Sequence, residues 1–599
     1  MIKFNRLTFL IFVLTVFYFA LVGRLFYLQV IRGEHYREIS DRNYIKIFYS
    51  NPPRGKIYDR NGVLLAYDVP TYSLIAFPYI VKKNYSMQEL KENLKNYLNI
   101  ELDEKTLNII EKNSYPSVVL KKDLTQKDIE NFYNHNYLFN GFYLEVVPKR
   151  VYTEEANYLA HIIGYVGYPS EKELKENPNL SPNILVGKAG VEKIYDSLLR
   201  GESGQKAVLV DAFGRQKKVL WEKDPRKGND IYLTIDIRIQ KIAFEAFSSS
   251  KHPSGAVVLV DPNTYEILAS LSYPTYNLQK FYEGFSQEEW KELTENKYKP
   301  LMNKVFLGKY PPGSIYKPLV SIAALEEGAI TPETRIGSGS EFRIGKWVYR
   351  NWNKRGCGFI NVSEALETSC DTFFYQVGLK LGVENIVKYS KLFGLGEILN
   401  PDLEVKVATI PSKEWKKKVL KQNWFHGDTV NLSIGQGYVT ITPFDATKIV
   451  VPIANGGYVL KPHILKAYFD NKSQRLVHTN PEVIRKINIK KWNLDAVRYG
   501  MYLVVYGPSG TAKALKTAPV LNAGKTGTAQ VYSYDTRKKR HHAWDFRDHA
   551  WFIDYAPYNR PQIAGVVFIE HGESGGKVAA PLMAYILKRI FKEKIIETE

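Results

Sequence analysis

An uncharged run, LTFLIFVLTVFYFALVG, extends from Leu7 to Gly23. It constrains the fold more than any other stretch. Hydrocarbon offers the backbone no hydrogen-bond partners, so a segment that crosses it must close its own bonds as a helix. Arg24 ends the run, and LFYLQV carries an apolar face beyond it. Residues 7–29 thus approach the length of a membrane span and exceed an ordinary signal-peptide core. No Ala-x-Ala pattern follows, which predicts an uncleaved anchor rather than a removed signal. Lys3 and Arg6 stand before the run, so residues 1–6 are expected in the cytoplasm by the positive-inside rule. No second run of this length occurs. A single-pass protein of the cytoplasmic (inner) membrane is expected, with the bulk of the chain outside.

The remainder is long enough for more than one domain, since the chain has 599 residues and 45% of them are hydrophobic. A formal charge of +20 suits an anionic partner: nucleic acid, acidic lipid or an acidic wall polymer. No zinc-knuckle spacing or phosphate loop is present and the lysines are scattered, so no nucleic-acid partner is expected. Cys357 and Cys370 are the only cysteines, which excludes a disulfide framework.

Residues 30–225 read as a membrane-proximal domain of short strands and small helices. Asn61-Gly62 between apolar runs signals a hairpin. SMQELKENLKNYL and TQKDIENFYNHN read as amphipathic helices, and GKAGVEKIYDSLLRGESG as one helix bracketed by glycines. The charged stretch WEKDPRKGND leads into a new strand near residue 231 and a second domain over 226–599. There SGAVVLVDPNTYEILASLSY and HAWFIDYAPYNRPQIAGVVFIEH read as two hairpins, with a further strand in VLNAGKTGTAQVY. The expected class is α+β: a five-stranded antiparallel sheet flanked by helices.

Three strings carry chemistry. In YPPGSIYKP, Pro318 marks a helix's first turn, because proline lacks the N–H that this turn leaves unpaired. Ser314 then lies at a helix start with Lys317 on the same face, the arrangement of a nucleophile and its base. A capping serine beside a solvated lysine fits the same string. Ser369-Cys370-Asp371 falls within ALETSCDTFFYQVG, read as helical, and Lys525-Thr526-Gly527-Thr528 falls on the strand before the last hairpin. In this order the three match the S-x-x-K, S-x-N and K-T-G set of penicillin-binding proteins, which removes the capping reading. His541, His542 and His549 suggest metal at first sight. Adjacent residues of a strand point to opposite faces, so a solvated basic loop is expected. Trp424 and His426 fit either a cleft wall or the core, and Asn431, Ser433 and Gln436 read as structural.

With RGKIYDRNG, AHIIGYVG, GDTVNLSIGQGYVTITPFD, GKTGTAQ and HAWFIDYAP, these motifs make the chain resemble class B penicillin-binding proteins over nearly its full length. Pro-Pro-Gly-Ser and Ser-Cys-Asp place it with the elongation type rather than the division type. Asp371 stands where the wider family has asparagine, a substitution usual in this subgroup. The resemblance implies a pedestal (dimerisation-like) domain below a transpeptidase domain. It also implies a monofunctional, serine-type D-Ala-D-Ala transpeptidase with residual carboxypeptidase activity, no cofactor, and inhibition by β-lactams. Stem peptides ending in D-Ala-D-Ala are the implied substrates, and a multi-pass lipid-II polymerase is the implied membrane partner. Ser314 is the implied nucleophile, Lys317 its neutral base, and Ser369 the proton relay. Asp371 would orient Lys317 or the substrate amide. Lys525 would stay charged and draw the substrate carboxylate with Thr526 and Thr528, while Gly527 lets the substrate lie along the strand. The backbone N–H groups of Ser314 and Thr528 would form the oxyanion hole. Alternatives are a septal transpeptidase, a β-lactam sensor or hydrolase, and a membrane-tethered activator of a wall polymerase. No evident deacylation glutamate supports the hydrolase.

The same subgroup includes members with a zinc site of two aspartates, a histidine and a cysteine. Cys370 matches the cysteine, Cys357 falls at the histidine position, and Asn351 falls at one aspartate. Asparagine is a poor zinc ligand and no fourth ligand is visible. A Cys357–Cys370 disulfide is therefore expected over a metal site, with zinc and free thiols as the other outcomes.

Overall fold

The computed structural model describes residues 6–34, 45–113, 115, 117–177, 180, 183–210, 216–531 and 544–597. Helix α1 (Arg6–Phe26) continues into a π-turn over Tyr27–Ile31. Phe9–Ile31 is the one helix among the described residues long and apolar enough to span a membrane. Its leucines, phenylalanines and valines lie exposed, as a lipid-facing surface requires.

Beyond it, strands 45–50, 204–210 and 216–223 form a small antiparallel sheet. A second sheet has seven strands drawn from distant parts of the chain. Ile57–Tyr58, Leu64–Ala76, Val118–Lys121 and Phe142–Tyr152 share it with Asp230–Leu233, Leu465–Asp470 and Arg475–His478. Strand 230–233 runs parallel to 57–58, with Ile231 opposite Ile57, and antiparallel to 465–470. The hairpin turn falls at Asn61-Gly62, where Gly62 has φ +86° and Asp59 Oδ1 accepts the N–H groups of Asn61 and Val63 at 2.8 Å each. Helices Met87–Leu98 and Gln126–Asn134 start at Ser86 and Thr125, whose hydroxyls accept the third backbone N–H. GKAGVEKIYDSLLRGESG forms two short helices, Gly190–Ile194 and Asp196–Leu199, broken at Tyr195.

A buried ionic cluster ties this region together. Glu192 takes Arg54 Nε at 2.6 Å and Arg150 Nε at 2.7 Å, and Arg150 also reaches Asp68 at 3.0 Å. Arg54 reaches Asp196 at 2.7 Å. Glu192 and Arg150 have no exposed side-chain surface, so every charge depends on its partners.

The larger sheet-and-helix body holds β1 (Gly255–Val260), β2 (Ile267–Tyr273), β3 (Ala523–Ala529), β4 (His549–Ala556) and β5 (Ile563–Ile569). Their order is β2-β1-β5-β4-β3, antiparallel throughout, as the sequence predicts. All of β1, β4 and β5 is buried. Both faces are covered, which is why these strands read as unbroken apolar runs rather than alternating ones.

Helix α2 (Ile237–Ser248) covers one face. Helix Pro443–Asn455 packs against the other face, and the Ser314 loop meets β3 and β4. The same body holds the helices α3 (Lys317–Glu326), α4 (Val362–Glu367), α5 (Asp371–Leu381), α6 (Lys413–Leu420) and α7 (His426–Ser433). Helix α8 (Ala580–Lys592) packs with α2 on the first face. Ile315, Leu319, Phe373 and Phe374 meet Trp551, Ile553 and Phe568 in the main core, while Ile242 and Phe247 meet Phe552, Leu587 and Ile590 in the second. Each such side chain contributes about 1.5–3 kcal/mol on burial. Strand β3 ends the sheet, so one of its edges is left without a strand partner.

Candidate active site

Pro311-Pro312-Gly313 turns into a single 3₁₀ turn, Gly313–Tyr316, and α3 begins at Lys317 with Pro318 in its first turn. Gly313 has φ +57°, a conformation at ease only for glycine, and its N–H donates to the Gly435 carbonyl at 2.8 Å. A Cβ there would lie 2.9 Å from the Thr528 carbonyl oxygen. Trp551 Nε1 donates to the Pro311 carbonyl at 3.1 Å. The loop is thus held between β3 and the end of α7, with Ser314 half-buried and Ile315 and Tyr316 in the core.

Ser369 does not lie within a continuous helix, contrary to the sequence reading. Helix α4 stops at Glu367 and α5 starts at Asp371. Ser369 stands between them with φ +55°. A left-handed non-glycine residue costs about 1–2 kcal/mol and persists only where its surroundings hold it. Here Lys525 Nζ donates to Ser369 Oγ at 2.8 Å. Lys317 Nζ donates to the Ser369 carbonyl at 2.8 Å and to its Oγ at 3.4 Å. Apolar spacing stays in helical register on both sides of the break, so periodicity does not reveal it.

Both lysines are fully buried. Lys317 Nζ also donates to Asp371 Oδ1 at 2.7 Å and sits 5.3 Å from the Phe374 ring centroid. Burial pulls the Lys317 pKa below its ordinary value, and the Asp371 carboxylate opposes that pull. Lys525 is pushed well below its ordinary value, by burial first and then by the Lys317 charge, with Asp371 opposing. The reading from sequence makes Lys317 the neutral amine and Lys525 the cation. In the structure the field runs the other way, because the carboxylate lies against Lys317. A carboxylate bound along β3 would provide Lys525 with a counter-charge of its own.

On β3, Gly527 faces the Ser314 loop. A Cβ would stand 2.9 Å from Ile315 Cγ2 and 3.1 Å from the Pro312 carbonyl oxygen, so packing of that loop requires glycine here, apart from any need of a substrate. The Thr526 hydroxyl pairs with that of Thr511 at 2.7 Å. Thr528 is exposed, and its Oγ1 accepts the Gly575 N–H at 3.4 Å.

A disulfide joins Cys357 to Cys370, with Cα atoms 6.3 Å apart. Asn351 Nδ2 donates to Cys357 Sγ at 3.0 Å, and Asn351 Oδ1 accepts the Asp371 N–H at 3.0 Å. The Trp352 N–H donates to Asp371 Oδ2 at 3.2 Å. The loop thus grips Asp371 by backbone and carboxylate. Among the described residues no three His, Cys, Asp or Glu side chains gather as a metal site. His541 and His542 lie outside the described residues. His549 is not in a solvated loop: it opens β4, is buried, and its Nδ1 accepts the His571 N–H at 3.1 Å. Trp424 is half-buried, with Nε1 donating to Thr429 Oγ1 at 2.8 Å, and His426 is exposed. Ser433 Oγ donates to the Val430 carbonyl at 2.7 Å, and the Asn431 carbonyl accepts the Gln436 N–H at 2.9 Å. Asn351, which the sequence offers only at a metal-ligand position, anchors Asp371, and Trp352 and Thr511 join the site. Only the turn-rich composition around Asn351 hints at its role, and nothing marks Thr511.

Residues 255–590 match the model of the penicillin binding protein transpeptidase domain, and residues 49–233 that of the penicillin-binding protein dimerisation domain. Peptidoglycan D,D-transpeptidase MrdA of Escherichia coli K12 is 34% identical over 593 residues, covering 95% of this chain and 91% of that protein. The Helicobacter pylori penicillin-binding protein PBP2, solved in complex with MreC, superposes with a TM-score of 0.78 at 30% identity, covering 92% of this chain and all of that one. A chain of a peptidoglycan synthase complex coordinating polymerization and crosslinking superposes with a TM-score of 0.69 at 29% identity, covering 98% of each. These relatives favour the elongation-type enzyme over the septal, sensor, hydrolase and tether alternatives. By sequence, fold and site, the chain belongs to the penicillin-binding protein transpeptidases, in the penicillin-binding protein 2 branch.

Proposed function

We propose that the chain is the elongation-type peptidoglycan D,D-transpeptidase of its cell, acting through a Ser314 acyl-enzyme. The observation that carries the residue roles is the convergence of Lys317 and Lys525 on Ser369 Oγ, at 3.4 and 2.8 Å, beside the Ser314 loop and the open edge of β3. The donor stem adds to that edge as an extended strand, with its terminal carboxylate at Lys525 and the Thr526 and Thr528 hydroxyls. That charge turns Lys525 back into a cation, which in turn favours the free amine on Lys317. Lys317 takes the Ser314 proton as Oγ attacks the penultimate D-Ala carbonyl, with the oxyanion received by the Ser314 and Thr528 N–H groups. Ser369 passes a proton to the leaving nitrogen, the C–N bond breaks, and D-Ala departs. The acceptor amine then attacks the ester, a new C–N bond forms, the C–O bond to Ser314 breaks, and the proton returns to Ser314 Oγ. Water in the amine's place gives carboxypeptidase activity.

Residues 30–225 act as the pedestal that holds the 226–599 transpeptidase domain outside the inner membrane, with residues 1–6 in the cytoplasm. The relative in a synthase complex supports a membrane-embedded lipid-II polymerase as partner. β-Lactams act as donor mimics. Labelling by a fluorescent penicillin tests the reading. Ser314→Ala should remain folded and membrane-bound yet take no label, and the wild-type adduct should persist. Rapid turnover of that adduct would make the chain a hydrolase, and labelling of Ser314→Ala would overturn the assignment.

A further inference from the structure

Helix α6 and the segment leading into α7 form a basic, uncovered ledge at the start of α7. Lys417, Lys418, Lys421, Gln422, Asn423, Phe425 and His426 are all exposed, and Val419 and Phe425 leave 55% and 65% of their surface in solvent. The chain does not leave this ledge floppy. Lys416 is buried, pairs with Asp428 at 2.7 Å, and lies over the Phe425 and Tyr438 rings at 5.2 and 5.3 Å. The Phe425 N–H donates to the same Asp428 carboxylate at 2.7 Å. One lysine therefore serves as the internal post, and its acid is used up. Lys417, Lys418 and Lys421 have no acidic partner among the described residues. Lys421 holds the left-handed cap of α6 with φ +56°, a position where glycine or asparagine is usual.

The ledge is joined to the site through α7. Helix α7 packs on α5, which opens at Asp371. Gly427 abuts Tyr349, whose hydroxyl would lie 2.3 Å from a Cβ at that glycine, and the Tyr349 ring stands 5.7 Å from that of Tyr375, one turn beyond Asp371. The far end of α7 leads to Gly435, whose carbonyl holds Gly313 beside the nucleophile. Continuous structure thus runs from the lysines to Ser314.

We propose that this ledge is the docking surface for the acceptor strand: the anionic stem peptide, on its glycan, whose amine resolves the acyl-enzyme. The inference rests on the transpeptidase reading and deepens it. Both stems joined in the reaction carry terminal carboxylates. The donor's is met by Lys525 on β3, and β3 is then covered by the donor itself. The acceptor must approach along another surface. The ledge, joined to the Ser314 loop through α7, offers three lysines to match its charge, none with an acidic partner among the described residues, and Val419 and Phe425 for apolar contact with its alanine methyls and sugar faces. The amine adds to the ester carbonyl, the C–O bond to Ser314 breaks, and the proton returns to Oγ. No other reactant is needed.

The test separates the half-reactions in the full-length protein. The triple variant Lys417→Ala, Lys418→Ala, Lys421→Ala is compared with a control of equal charge, Lys588→Ala, Lys592→Ala, Lys594→Ala, on α8 and its end. Acylation by a fluorescent penicillin reads the donor step and the fold. Cross-linking of uncross-linked glycan strands bearing pentapeptide stems reads the acceptor step. The ledge variant should label at the wild-type rate, cross-link about 3- to 100-fold less, the range three exposed ion pairs allow, and release D-Ala by hydrolysis instead. Its residual cross-linking should also be less sensitive to salt. Unchanged cross-linking, an equal loss in the control, or a loss of acylation in the ledge variant each overturns the proposal. Failure of the wild type to label at all would sink the transpeptidase reading instead.

Discussion

Asp371→Asn removes one negative charge from the cleft while keeping an oxygen where Lys317 needs an acceptor. Lys317 Nζ and Asp371 Oδ1 are 2.7 Å apart, where opposite unit charges attract by about 6 kcal/mol at an effective dielectric of about 20. The Asp371 side chain is 14% exposed, and its second oxygen is taken by the Trp352 N–H at 3.2 Å, so the usable part is smaller. A neighbouring opposite charge typically moves an ionisation equilibrium by about 10- to 1000-fold. The sign follows from the two opposing forces on Lys317: burial favours the free amine, and Asp371 favours the ammonium. Only the amine can accept the Ser314 proton. On the acid side of the pH profile, acylation follows the fraction of amine, so the variant should hold its activity to lower pH. Normalised to its own plateau, its acid-side rate should exceed that of the wild type by about 10- to 1000-fold at the same pH. The plateau itself should drop, because a less basic amine is a weaker general base. The assay is the second-order rate of acylation by a fluorescent penicillin between about pH 4 and about pH 10, the ordinary carboxylate and lysine values. The limb belongs to the Lys317–Lys525 pair rather than to one residue, but its direction of travel is fixed. An acid limb that stays in place or moves to higher pH would show that Lys317 is not the base or that Asp371 does not hold its charge.

Glu192→Gln leaves two buried guanidinium groups short of a counter-charge and should cost about 3–5 kcal/mol of stability, seen as a lower melting temperature of the pedestal with penicillin labelling as the check on the cleft. Burial pushes the Glu192 carboxyl up, but Arg150 and Arg54 outweigh it and hold the net value below the ordinary range. This stabilisation is present above the unfolded carboxylate value of about 4.3 and fades as pH falls through the folded one; equal acid sensitivity of wild type and variant would remove Glu192 from that role. Intact mass before and after reduction should show a gain of two hydrogens as the Cys357–Cys370 bond opens, with acylation slowing as the loop loosens its grip on Asp371. Stoichiometric zinc and no such gain would replace the disulfide by a metal site.

The central sheet was legible because β1, β4 and β5 are buried on both faces and so carry unbroken apolar runs with turn residues between them. Pro318 made the start of α3 legible through a single missing N–H. Ser369 was not, since its left-handed break is held by two lysine side chains from elsewhere in the chain and leaves the flanking helical pattern intact. The same holds for Asn351, whose value lies in reaching Asp371 across a loop, and for Gly527, where a side chain would meet Ile315. The pairing of Ile231 with Ile57 joins segments far apart in sequence, and nothing local to either announces the other.

That pairing bears on how the first part of the chain moves with the part that builds the cleft. A sheet that borrows strands 230–233, 465–470 and 475–478 from the part of the chain that builds the cleft leaves no soft joint between footing and working end. Force applied at strand 57–58 travels along a ladder of backbone hydrogen bonds instead of being absorbed in a flexible strap. The distance from Ser314 to strand 57–58 is then set like the reach of a rigid bracket, so the two ends of this body move as one.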